Sequence, residues 1–434
     1  MAHLDYGLNA VRVAIIGAGW AGLAAGVTLV QRGAQVVVFE ASRHVGGRAR
    51  QVELEGKMLD NGQHILVGAY GETLRLMRAI GVEPTQSFLR LPLRLTMADG
   101  FDLRSPRLPA PFNALYALMT ARGLTIAERV RAISFAAWLN RIKFRLDHDE
   151  PLAGLLERHT QLGPLRNALW GPLCVAALNT PVDEASAQVF LNVLRDTLNG
   201  GDGASDLLLP RASLGALFPE PAAQYLAQQG CSVRLGSAVR AIEPDANKLS
   251  VDGEQFDAVI VATGPQHAAR LLPSQCATTR AQIDALDYQP IYTCYLQYPM
   301  NARLPVPMLG FSAGPVQWAF DRGALDGHAG LIAAVISARG LHESLTNDEL
   351  AAAASAALQQ PLGNPGVAQW QRVIAEKRAT FACRPDLDRP ENATAIRGLF
   401  LAGDYTRSDY PGTLETAVRS GIHAATLVQS LARK

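Results

Sequence analysis

The chain has 434 residues, 48% hydrophobic and 18% charged, with 40 basic against 39 acidic side chains and a formal net charge of +1. Apolar content this high with balanced charge excludes an intrinsically disordered chain and gives no overall attraction to nucleic acid; the length suggests two or three domains with no need of disulfide staples. Five scattered cysteines (Cys174, Cys231, Cys276, Cys294, Cys383) form no CxxC pair, which argues against a disulfide framework or a metal site and fits a reducing compartment.

The first predicted element is a β-type run over 11–16, followed by a Gly-rich turn, a helix to about residue 32 and a second strand over 35–39. Residues 13–31 are uncharged, but glycines at 17, 19, 22 and 26 and the preceding strand are foreign to a membrane span. A basic start and a cleavage site, which a signal peptide needs, are both missing from this stretch. No other window is long enough to cross a bilayer, so a soluble or peripheral, cytoplasmic protein is expected. Within the β-α-β unit stands Gly17-Ala18-Gly19-Trp20-Ala21-Gly22. Gly17 permits a tight turn, Gly19 lets backbone approach a pyrophosphate, and Gly22 lets helix and strand pack closely, with the helix N-terminus facing the phosphates. Glu40 closes the second strand 18 residues beyond Gly22, where an acid can bind a ribose hydroxyl pair. Gly46-Gly47-Arg48 then offers exposed backbone N–H groups and a cation for a diphosphate.

A helix is predicted over about 71–80. Residues 84–198 read as mainly helical, broken by seven prolines. Between Leu103 and Leu146 eight basic residues face one acid, a local net charge of +7, interleaved with large apolar side chains such as Phe112, Tyr116, Met119 and Trp138. Two readings stay open for this stretch: docking on an anionic membrane surface, or a helical pair with one solvated basic face. Glycines 200, 201 and 203 mark a loop, and a helix follows over 220–229. Short strands are expected over 232–235, 238–242, 248–251 and 255–262, the last ending in a small-residue turn at Thr263-Gly264 that can approach a cofactor. Strand composition returns over 292–298, 316–320 and 331–337, an Ala-rich helix over 347–360, a strand over 398–401, a loop over 403–412 and a final helix over 414–432. Asp404, after Gly403, is placed to hold a ribityl or phosphate-adjacent hydroxyl. Thr413 is placed to cap the last helix, whose positive end would face whatever lies beyond.

Nucleotide-type elements thus sit at the start, middle and end. The expected fold class is α/β: a discontinuous Rossmann-like FAD-type domain (1–83, 204–270 and 385–434) with an α+β substrate-binding domain (84–203 and 271–384). Its first part, 84–203, should be a mainly helical insertion. Neither an internal repeat nor a second Gly-rich nucleotide fingerprint is present, so a dedicated NAD(P)H domain is not expected, and the electron donor stays unidentified.

Taken together, these motifs resemble the flavin-containing amine oxidase and carotenoid desaturase superfamily over nearly the whole chain, its Rossmann-like domain being of the GR2 type. Residues 60–70 (DNGQHILVGAY) and 402–406 (AGDYT) are similar to the polyprenoid desaturase branch. Combined with 170–181 (WGPLCVAALNTP), they resemble the bacterial hydroxysqualene dehydroxylases of hopanoid biosynthesis. The resemblance implies FAD with its pyrophosphate over Gly17, Gly19, Trp20, Ala21 and Gly22, its adenosine ribose on Glu40, and Gly47 and Arg48 beside the diphosphate. Gly62, Gln63, His64 and Ile65 would lie against the isoalloxazine and Val239, in the strand before Ile242, against adenine. Gly264, Gly403, Asp404, Thr413 and Leu414 complete the implied set. Thr413 replaces an aromatic-cage tyrosine usual in amine oxidases and no cysteine stands nearby, so amine oxidation is not expected and FAD should be non-covalent. The implied reaction is reductive loss of the allylic hydroxyl of a C30 isoprenoid, with His64 and Tyr410 as candidate proton donors and no metal. Two alternatives stand beside it: a flavin desaturase or isomerase acting on a polyprenoid, and a carrier of prenylated proteins, against which Glu40, Arg48 and Asp404 all speak.

Overall fold

The computed structural model describes residues 11–109, 111–245 and 248–432. Its first layer is a five-stranded parallel sheet in the order Ser232–Arg234, Gln35–Phe39, Arg12–Ile16, Ala258–Val261, Leu399–Leu401. The three central strands are almost wholly buried, which is why they read as continuous apolar runs rather than as alternation. Helix Trp20–Val30 is buried along nearly its whole length because helix Leu414–Ala432 packs over it. The strands come from three separated stretches of sequence, all within those expected for the cofactor domain.

The second sheet is antiparallel, in the order Met308–Gly310, Trp318–Asp321, Leu331–Ser337, Tyr288–Gln297, Trp370–Phe381. Strand Tyr288–Gln297 lies between Leu331–Ser337 and Trp370–Phe381, with Thr293 opposite both Val335 and Ile374. Helices Phe112–Thr120, Ile126–Arg141, Leu152–Arg158, Gly171–Leu178 and Ala187–Asn199, with a π-type turn over Leu165–Trp170, form the insertion. Thr125 starts the second of these in a reciprocal cap: its hydroxyl accepts from Glu128 N–H, and the Glu128 carboxylate accepts from Thr125 N–H.

The structure corrects several expectations. Residues 84–109 are not helical in the main: Phe88–Leu91 joins a small sheet with Leu66–Val67 and Leu207–Pro210, and Arg94–Thr96 pairs with Asp102–Arg104. These strands are two to four residues long, too short for a period-2 signal. Val239 lies in an irregular link, not a strand; the strand begins only at Ile242. Strand Trp370–Phe381 carries charge on much of its length because it is a half-solvated edge, and sequence patterning missed it. Among the described residues no helix is long and apolar enough to cross a membrane, no cluster of ligands suits a metal ion, and the five cysteines are free thiols.

Candidate active site

The Gly-rich turn leaves strand Arg12–Ile16 beside the end of Ala258–Val261. Gly17 has φ +109°, and a side chain there would meet Ala262 O at 2.7 Å. A Cβ at Gly22 would lie 2.0 Å from Gly17 O, whereas one at Gly19 meets nothing closer than Gly47 Cα at 3.9 Å. Turn and packing therefore demand glycine at 17 and 22, while at 19 the backbone faces open space. Trp20 and Ala21 are buried, the Trp20 indole N–H donating to Ala49 O at 3.1 Å. No side chain caps helix Trp20–Val30 and its first turn holds no acid, so its N-terminal amides stay available. The Glu40 carboxylate accepts from Ala18 N–H at 2.7 Å and Ser42 N–H at 2.8 Å, which leaves further lone pairs free. Gly47 has φ +63°, and the Gly46 N–H donates to Ala18 O at 2.8 Å, closing the loop against the turn.

Arg48 and Asp404, expected on different parts of a cofactor, are brought together. The Arg48 guanidinium donates to Asp404 at 2.5 Å and to Ala379 O at 2.6 Å. Burial opposes its charge, but Asp404 outweighs that and holds the guanidinium pKa above its ordinary value. Gly403 N–H donates to Ser420 Oγ at 3.0 Å. Thr413 caps the last helix as expected, accepting from Thr416 N–H at 3.1 Å. Two buried hydroxyls nearby in sequence to these motifs, Thr263 Oγ1 and Tyr405 Oη, have no partner among the described residues. Orphaned polar atoms, an uncapped helix end and a glycine-walled cradle together fit a large polar cofactor.

Segment Asp60–Ile65 is clamped from the antiparallel sheet. Arg322, 3% exposed, donates from Nη1 to Gln63 Oε1 at 2.6 Å, lies 3.6 Å from Asp60 and bonds Asp326 through Nη2. The Tyr295 hydroxyl donates to Asp60 O at 2.9 Å, and Asp60 accepts from Leu214 N–H at 2.8 Å. Burial raises the Asp60 pKa, against the pull of the Leu214 amide and Arg322. The His64 ring lies 2.9 Å, Nδ1 to oxygen, from Gly62 O; a carbonyl only accepts, so Nδ1 carries the proton. Burial pushes the His64 pKa below its ordinary 6.5. In this geometry a neutral ring commits its one proton to Gly62 and leaves Nε2 as an acceptor.

A cavity of about 250 Å³ extends from Ile65, Tyr70 and Thr413 into the helical insertion, with walls that are overwhelmingly apolar. Leu118, Phe144, Leu173 and Phe190 line it, as do Met308 and Trp318 from the antiparallel sheet. Its ionisable lining consists of Tyr70, Asp196, Tyr410, Glu415 and Arg419. Glu415 accepts from Thr73 N–H, the Thr73 hydroxyl, Glu72 N–H and Arg419, so it serves as an anchored acceptor. Burial pushes the Tyr70 pKa up to about 12.

The family model for flavin containing amine oxidoreductases matches residues 20–429. The chain belongs to that family. As a member it is a flavin oxidoreductase, with FAD as its cofactor. It is 32% identical to the hydroxysqualene dehydroxylase of Rhodopseudomonas palustris over 97% of this chain and 99% of the relative. It is 23% identical to the chloroplastic/chromoplastic zeta-carotene desaturase of Arabidopsis thaliana over 96% and 85%. Among solved structures, an oxidoreductase from Methanosarcina mazei superposes with a TM-score of 0.72 at 16% identity, covering 96% and 99% of the two chains. Cyclohexylamine oxidase from Brevibacterium oxydans gives 0.66 at 19%, covering 98% and 100%. These two likenesses establish the fold.

Of the residues expected at this family's site, Gly17 to Gly22, Glu40 and Gly47 surround one cradle, Arg48 and Asp404 pair, and Ile65, Tyr410 and Thr413 line the cavity. Gly264 precedes helix Pro265–Leu271, just beyond the strand beside Gly17, and Leu414 opens the last helix. Val239 is half-buried in its link. Arg322, Tyr295 and Asp196 were not expected. Arg322 and Asp326 look like an exposed i,i+4 helix pair in sequence, and nothing local signals their burial.

Proposed function

We propose that the protein is an FAD-dependent hydroxysqualene dehydroxylase, which reduces the allylic C–O carbon of hydroxysqualene to give squalene for hopanoid biosynthesis. The observation that carries this reading is the cavity, whose apolar walls begin at Ile65 and Thr413 and run into the helical insertion. Such walls exclude water from a carbon that passes through allylic cation character. The relatives named hydroxysqualene dehydroxylase, 29–32% identical over nearly the full length, agree with it. When bound, FAD supplies hydride. In this reading Gly17, Gly19, Trp20, Ala21 and Gly22 frame the pyrophosphate, Glu40 takes the adenosine ribose, and Gly47, Arg48, Gly264, Gly403 and Asp404 border the rest of the chain of the cofactor. Gly62 to Ile65, Thr413 and Leu414 border the ring, and attachment is non-covalent. The test is anaerobic mixing of photoreduced enzyme with hydroxysqualene. The expected result is flavin reoxidation with squalene formed. No reoxidation, with reduction of the oxidised enzyme by a polyene instead, would favour a desaturase.

The substrate is a C30 lipid, and the same helices that wall the cavity present its route from a bilayer. Phe112, Tyr116 and Met119 on one helix and Ile126 and Val130 on the next are exposed, Ile126 at 79%. Arg107, Arg122, Arg129 and Arg131 are interspersed with them in sequence, in a stretch of net charge +7. Apolar anchors ringed by cations suit the anionic inner face of a cell membrane. Flotation with anionic liposomes should carry the wild type upward, and replacing those arginines by glutamine should leave it at the bottom. Equal flotation of both would remove the membrane role.

A further inference from the structure

The cavity is not sealed. A shallow depression lined by Ala69, Arg195, Asp196, Asn199 and Gly200 adjoins it, and Ala69, Asp196 and Asn199 line both. At this junction the Tyr410 hydroxyl donates to Asp196 Oδ2 and accepts from Arg195 Nη2 at 3.2 Å. Arg195 Nε also donates to Asp196 Oδ1 at 2.8 Å, and the Asp196 side chain is 32% exposed. From the other side the Arg419 guanidinium stands 5.1 Å from the centroid of the Tyr410 ring while Nε donates to Glu415 at 2.8 Å. The loop carrying Tyr410 is pinned: Asn192 donates to Asp409 O at 2.9 Å and Arg389 to Tyr410 O at 3.1 Å. One phenol therefore faces an apolar chamber, touches a carboxylate that reaches solvent, and is flanked by two guanidinium groups.

We propose that Tyr410 and Asp196 form a proton relay that delivers a proton from solvent to the departing hydroxyl of the substrate. This rests on the dehydroxylase reading. Asp196, once it has taken a proton from the adjoining depression, donates to Tyr410 Oη and turns the phenol hydrogen toward the substrate. As the allylic C–O bond breaks, its electron pair stays on oxygen, which takes the Tyr410 proton and leaves as water while Tyr410 takes the Asp196 proton; the carbon receives hydride from reduced flavin, which is oxidised. Arg195 and Arg419 hold the phenol and offset negative charge developing on its oxygen during the transfer. Of the other ionisable lining groups, Glu415 is held as an acceptor, Arg419 remains a cation and Tyr70 lies buried against Thr413. Tyr410 alone among them is joined to a solvent-reaching carboxylate.

The test is single-turnover reoxidation of anaerobically reduced, FAD-loaded enzyme by hydroxysqualene, together with binding of hydroxysqualene and squalene to the oxidised enzyme. Tyr410→Phe should slow reoxidation about 10²–10⁴-fold. The same variant should bind hydroxysqualene about 3–10-fold more weakly, as loss of one hydrogen bond implies, with squalene affinity and FAD content unchanged. Asp196→Asn should be slow in plain buffer and recover when formate is added. Wild-type rates in Tyr410→Phe overturn the relay while leaving the dehydroxylase reading intact. A wild type that hydroxysqualene does not reoxidise overturns that reading and the relay with it. Should Tyr410→Phe fail to fold, Asp196→Asn decides: slow and formate-rescued supports the relay, wild-type rate overturns it.

Discussion

At Gly22 a methyl group would sit 2.0 Å from Gly17 O, while at Gly19 it would enter open space. Two alanine substitutions should therefore fail differently. Gly22→Ala should destabilise the apoprotein by about 1–3 kcal/mol through overpacking, seen as a lower urea midpoint. Gly19→Ala should leave the apoprotein's midpoint unchanged and lose FAD, seen in the flavin absorbance of the purified protein; equal behaviour of the two would contradict the assigned roles. The glycine motif was legible because its constraints are local, a turn and two close approaches within six residues. His64 was legible as a position but not in its state, since the Gly62 carbonyl that binds its proton is a matter of chain path. Its depressed pKa means that the unfolded chain takes up a proton at 6.5 while the folded ring still refuses one. Stability tied to His64 is thus complete above 6.5 and lost as pH falls toward the lower, folded pKa. Relative to His64→Gln, which keeps a donor and does not titrate, the wild type should lose stability as acid is added below 6.5. Parallel urea midpoints of the two proteins through that window would show that the ring is not buried neutral.

Between elements, the decisive link is the clamp from helix Arg322–Leu325 and strand Tyr288–Gln297 onto Asp60–Ile65. It joins the antiparallel sheet to the segment proposed to border the flavin ring. Arg322→Met would leave Asp60 and Asp326 buried without their cation, at a cost of about 3–5 kcal/mol. The expected result is a lower unfolding midpoint together with a shifted spectrum of the bound FAD; a lower midpoint with an unchanged spectrum would mean that the clamp does not position the segment. Sequence patterning could not see this link, because 259 residues separate Arg322 from Gln63. It saw buried parallel strands and the last helix well, since both are long and continuously apolar or periodic. It missed Trp370–Phe381, whose Arg372, Glu376, Lys377 and Arg378 interrupt any apolar pattern although nine of its twelve residues pair with Tyr288–Gln297 along an edge.

Across the whole molecule, three stretches of chain assemble one parallel sheet, and the two intervening stretches supply most of the walls of a chamber that Ile65, Tyr70 and Thr413 also line. The three-stretch origin of the sheet was legible because the nucleotide-type motifs recur at the start, middle and end of the sequence. The chamber itself was not, because its walls gather single apolar residues from helices and strands that no local pattern connects. The central claim is that this chamber brings an allylic alcohol to reduced flavin and returns a hydrocarbon. The hydrogen carried by reduced flavin exchanges with solvent, so the most direct measurement is a single anaerobic turnover of hydroxysqualene in deuterated water, with mass spectrometry of the product. Squalene bearing one deuterium at the carbon that held the hydroxyl is the expected result; no squalene, or squalene without deuterium at that carbon, would contradict it.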